Sequence, residues 1–270
     1  MILLQRFYHR GVPSFWHLAL DGLLASLTGA LFAWWLFPAE ASLVAVFLAA
    51  IACDDSVERI LDDNRSAIFE RAESAWDANA ELTLRVLGLF VGAFVAFGLL
   101  GLLLPLDTIA TVFHRQVVHS GPLESLDFGS FGAVLANNLY VLLFFFAVAI
   151  PFRHGGVMLA VAWNASVWGM TFGALARGWS AAGGPGPLEA MARVTAAVGV
   201  HMGFEAVGYV LAGLSGVFLS KAVVKHAWSS DTMVEVTKTV AAKMAAALAL
   251  ITVGALWEAR LAGHLVGWIS

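Results

Sequence analysis

His201 and Glu205 stand four residues apart in the apolar stretch 190–220, so on a helix they share one face. An imidazole beside a carboxylate is a proton-handling pair. Asn137 and Asn138 lie in the apolar stretch 130–150 and Asn164 in 156–177. If those stretches pack together, their amides reach similar depths and could steady a bound group or an oxyanion. The same five residues also suit a satisfied hydrogen-bond network that cross-links helices, each bond contributing about 0.6–2 kcal/mol. Spacing alone does not choose between the two. One histidine and one carboxylate are too few for a metal site. No serine or cysteine nucleophile stands beside them, although Thr195 and Ser166 lie on the same helices. No catalytic residue, metal ligand or cofactor is therefore assigned. His17 with Asp21 near the start of the first apolar segment, and Glu258 near the end of the last, suit structural or interfacial roles.

Polar groups of this kind carry information only if their surroundings are apolar, and composition places them there. Hydrophobic residues make up 60% of the 270-residue chain and charged residues 13%, with a mean hydropathy of +0.82. Soluble chains run nearer about 45–50% and 25%. A spanning helix needs about 20 mostly apolar residues. Apolar segments fall near 17–37, 40–53, 83–105, 130–150, 156–177, 190–220 and 239–258. The expected fold is all-α: a polytopic transmembrane bundle of about seven spans, or five plus an N-terminal hairpin. The second segment is the uncertain one, since residues 41–53 as a helix reach about 20 Å against a hydrocarbon core of about 30 Å.

Alternating spans from a cytoplasmic N-terminus leave eleven Lys and Arg inside and four outside (Arg115, Arg177, Arg193 and Arg260). By the positive-inside rule the N-terminus is expected in the cytoplasm, with the C-terminus outside, in the inner (cytoplasmic) membrane. The chain divides into an N-terminal segment with a hydrophobic hairpin (1–53), an acidic amphipathic cytoplasmic helix (54–82) and a transmembrane bundle (83–270). Residues 54–82 hold nine acids and three arginines, with Val57, Ile60, Leu61, Ile68 and Trp76 at helical spacing. That face is either solvated or a surface for protein partners. An external loop over 106–129 carries His114, His119, Glu124 and Asp127 without a metal-ligand pattern. The net charge of −4 and pI near 6.0 argue against nucleic-acid binding, and the single Cys53 permits no internal disulfide.

Small residues recur four apart at Gly88 and Gly92, Gly169 and Gly173, Gly199 and Gly203, and again at Gly216. Such stripes let helix backbones approach closely in lipid and support tight packing or a homo-oligomer. Most tryptophans fit anchoring at the membrane interface.

Asn137-Asn138-Leu139-Tyr140-Val141 opens one span, Asn164-Ala165 with Gly169 and Gly173 lies in the next, and His201-Met202-Gly203-Phe204-Glu205 in a third. In order and spacing, residues 131–225 resemble the stage II sporulation protein M family of integral membrane proteins. That family carries N-N-x-x-V, then N-G followed by glycine, then P-H-G-x-x-E. Here Ala165 replaces the glycine beside the asparagine, and Val200 and Met202 flank His201 in place of proline and glycine. The resemblance implies a membrane scaffold that anchors partner enzymes at the cell envelope, with contacts to the lipid bilayer and to protein partners through 54–82. A transporter or channel lined by the Asn/His/Glu residues is the alternative. An intramembrane hydrolase would need a nucleophile that the sequence does not place.

Overall fold

The computed structural model describes residues 12–117 and 130–262. Among them are nine α-helices: α1 (Phe15–Leu36), α2 (Ala41–Ala52), α3 (Asp54–Phe69), α4 (Ala75–Leu103), α5 (Leu106–Val112), α6 (Phe131–Phe152), α7 (His154–Ala181), α8 (Pro187–Lys225) and α9 (Asp231–Trp257). A short π-helical turn, Glu258–Ala262, follows α9. Each of the seven apolar segments is a helix. Six of them, α1, α4, α6, α7, α8 and α9, are long and apolar enough to cross a membrane. The protein is thus an integral membrane protein with a helical-bundle fold. The second segment, α2, has twelve residues, about 18 Å of helix, and does not span by itself.

Serine caps fix where the helices begin. The hydroxyls of Ser74, Ser130 and Ser230 accept hydrogen bonds from the backbone N–H of Asp77, Ala133 and Met233, at the starts of α4, α6 and α9. Pro187 sits in the first turn of α8, where its missing N–H costs nothing.

The spans form a row, α1–α4–α7–α8–α9. Helix α2 lies against α1 and α7, and α6 lies against α7, α8 and α9. Glycines set the closest approaches. A Cβ at Gly88 would come within 2.5 Å of the Phe15 carbonyl oxygen, and one at Gly92 would overlap the Ala19 carbonyl, so α1 and α4 run parallel in near-backbone contact. Gly169 and Gly173 do the same against Phe94 and Gly98 on α4, and Gly216 on α8 against Phe146 on α6. Gly199 and Gly203 differ. Around Gly203 nothing lies within 4 Å, and Gly199 meets only its own helix neighbour Thr195.

The acidic stretch 54–82 is not one helix, which corrects the sequence expectation. α3 ends at Phe69, Ala72 takes a left-handed φ of 53°, and Ser74 caps α4 afresh. Since Gly88 lies level with Phe15, residues 75–87 of α4 project about 20 Å beyond the start of α1. α3 packs back on this projection, so 54–82 is a helical hairpin standing on the bundle.

At the opposite end, the 106–129 loop is only partly described. Its first part is tied down: Gln116 donates to the Ser42 carbonyl, Thr171 donates to the Gln116 carbonyl at 3.0 Å, and Arg177 donates to the Leu104 carbonyl. His114 contacts the carbonyl of Thr111, three residues before it. His119, Glu124 and Asp127 lie outside the described residues.

Candidate functional site

α6 and α8 run parallel, with Phe146 level with Gly216, and this brings Asn138 opposite Glu205. The Asn138 amide donates to Glu205 Oε1 at 2.5 Å, and both residues are buried, at 4% and 5% exposure. α9 returns antiparallel to α8, so Gly254 lies against Glu205. A Cβ there would sit 3.3 Å from Glu205 Cγ, so the glycine leaves room for the carboxylate to cross beneath α9. His201 Nε2 lies 4.0 Å from Glu258 Oε2, the first residue of the π-helical turn. Tyr209, one turn beyond Glu205, packs edge-on against Phe145 of α6. The arrangement is a polar clasp that joins α6, α8 and α9 in their shared apolar interior.

The sequence-derived residues separate into three groups. Asn138, His201 and Glu205 are together. Asn137 is on the exposed side of α6 and reaches only Asn138, at 3.4 Å. Asn164 donates its amide to the Ala160 carbonyl of its own helix, and it lines both an apolar cavity between α2 and α6 and a small gap beside Ala206 and Tyr209 of α8. Glu258 and Tyr209 complete the clasp, and neither was placed there by sequence reasoning. For Glu258 a signal existed. The α8–α9 connection is only 226–230, which makes the two helices antiparallel neighbours. Counting outward from that connection puts Glu258 and His201 at nearly equal depth.

Chemically the clasp offers two carboxyls, an imidazole and an amide. His201 Nδ1 and Trp257 Nε1 are buried without a hydrogen-bond partner. Among the described residues, no group of three or more His, Cys, Asp or Glu side chains is placed to hold a metal ion. Ser166 donates to the Trp163 carbonyl of its own helix. A further cation, Lys243 of α9, is 8% exposed, with Nζ 4.4 Å from the centre of the Phe218 ring.

The α3–α4 hairpin is the second candidate surface. Asp63 joins its two helices through Arg85 at 2.6 Å and Arg71 at 3.1 Å, while Arg85 also pairs with Glu81 and Arg71 with Glu73. Burial pushes the Asp63 carboxyl up, but the hydrogen bonds from Arg85 and Arg71 outweigh that and hold it below the usual carboxylate range. Asp54 pairs with His154 at 3.1 Å, fastening the base of the hairpin to α7. Near the apex, Phe69 and Trp76 are 76% and 81% exposed. At the base, Asp21 accepts a hydrogen bond from Ser56 at 3.1 Å. His17 contacts Ser14, which precedes α1.

No family model, no curated protein and no solved structure matches this chain.

Proposed function

We propose that this integral membrane protein is a non-enzymatic scaffold that recruits protein partners at the cell envelope through the α3–α4 hairpin. The observation that carries this reading is the hairpin itself: an ion-paired, rigid projection with acids along its sides and two bare aromatic residues near its apex. Aromatic anchors ringed by polar groups are the usual make-up of a binding hot spot. The clasp agrees with the reading in one respect, since the Asn138–Glu205 hydrogen bond joins two helices. The resemblance of 131–225 to the stage II sporulation protein M family points the same way, and rests on the short motifs quoted for it.

In this reading the hairpin lies on the cytoplasmic side of the inner membrane, as the excess of Lys and Arg at that end favours. The open Gly199–Gly203 face of α8 offers a second copy a close backbone approach. A photo-cross-linking residue at Trp76 tests recruitment in cells. Capture of a discrete partner is expected, and it should vanish when Glu58 and Asp62 are reversed to Lys while membrane insertion is unchanged. No capture above that from lipid-facing Leu248 defeats the proposal.

A transport reading is favoured by one observation: His201, whose Nδ1 is buried without a partner, lies 4.0 Å from the Glu258 carboxyl. Ionisable groups inside spans mark conduction paths. Flux in liposomes that Glu205→Gln abolishes would favour it, and proton and cation flux at background level would remove it.

A further inference from the structure

We infer that the cavity between α2 and α6 is a binding site for a single acyl chain of a bilayer lipid. The cavity is about 420 Å³, within the range of about 300–1,000 Å³ of small-molecule sites. Phe47 of α2 and Tyr140 and Phe144 of α6 form its walls, and Leu159 and Trp163 of α7 its floor. It exists because α2 is short and α6 leans toward α8 and α9, so the two helices flank α7 without meeting over it.

Access decides the class of ligand. Phe47, Tyr140 and Phe144 at the rim are all at least half exposed, and they belong to the apolar outer surface that a membrane covers. A ligand therefore arrives from hydrocarbon, which excludes hydrophilic solutes. The walls decide between a lipid chain and a helix of a second copy, because close helix pairs use small residues and these are large. Asn164 gives its floor a polar point. This inference depends on membrane embedding alone and stands apart from the scaffold reading.

The test uses the full chain in phosphatidylcholine vesicles doped with a phospholipid whose acyl chain carries a diazirine. After irradiation, adducts are mapped by mass spectrometry. Labelling at Val148, Leu159 and Trp163 is expected to exceed that at Leu24 and Leu248 at least threefold, although Leu24 and Leu248 are themselves 50% and 45% exposed. Val148→Trp, or Leu43→Trp where the first fails to insert, should fill the cavity and abolish that excess while leaving Leu24 and Leu248 unchanged. Labelling that simply follows exposure overturns the inference. So do interchain cross-links from a photo-reactive residue at Phe144, which would place a second copy there.

Discussion

Replacing Asn138 by Leu should destabilise the bundle by about 1–3 kcal/mol, because it strips a buried carboxyl of its hydrogen bond. The estimate rests on two features. The Asn138–Glu205 contact is 2.5 Å long, and both groups are nearly excluded from lipid and water, at 4% and 5% exposure. Glu205→Gln keeps an acceptor for the amide and should cost less. Glu205→Leu leaves the Asn138 amide buried instead and should cost about 1–2 kcal/mol. The double variant Asn138→Leu, Glu205→Leu removes both polar groups and should cost less than the two singles summed. The coupling energy should lie near 0.6–2 kcal/mol, the size of interhelical hydrogen bonds in membranes. Reversible unfolding in mixed micelles, or steric trapping in bicelles, gives all four corners of the cycle. A coupling within about 0.3 kcal/mol of zero would refute the reasoning, since it would mean that α6 and α8 do not exchange this bond.

Gly92→Leu should destabilise by more than about 2 kcal/mol, since a side chain at that position overlaps the Ala19 backbone and must push α1 from α4. Gly203→Leu should leave monomer stability within about 0.5 kcal/mol, because nothing lies near it, and any loss of cross-linked dimers would then report the open α8 face. The hairpin should loosen in acid. Asp63 has a depressed folded-state value, so its stabilisation is complete above the unfolded carboxylate value of about 3.9 and is lost as pH falls through the lower folded one. Hydrogen exchange in α3 should therefore rise below about pH 4. Asp63→Asn should abolish that acid dependence at a cost of no more than about 1 kcal/mol at neutral pH. Arg153 holds a φ of 50° in the one-residue turn between α6 and α7, so Arg153→Gly should raise thermal stability by about 1 kcal/mol. An unchanged or lowered melting temperature would count against strain there.

Hydropathy made the long helices legible, because a run such as 83–103 has few other ways to satisfy its backbone in lipid. The break at Ala72 was hidden for the opposite reason. Apolar residues keep their 3–4-residue spacing from Val57 to Trp76, so periodicity runs straight through the turn. The mark that was present is local: Ser74 followed three residues later by Asp77, the pattern of a fresh helix start.

Depth and direction differ in the same way inside the bundle. Depth follows from counting along a helix from its ends, and by that measure Asn138, Asn164, His201 and Glu205 fall at similar depths in the bundle. Direction around the helix axis does not follow, because α7 is apolar or small on nearly every side and gives no stripe to orient it. Asn164 could thus be assigned the right height and still give its amide to its own helix, while Glu258 turned inward to His201. What orients these helices is contact between backbones. Gly254 admits Glu205 under α9, and Gly216 brings α6 onto α8 so that Asn138 reaches the carboxylate. The glycines and the polar clasp are therefore one device. A Cβ at Gly254 would press on the Glu205 Cγ at 3.3 Å, so the size of that residue bears directly on where the carboxyl sits.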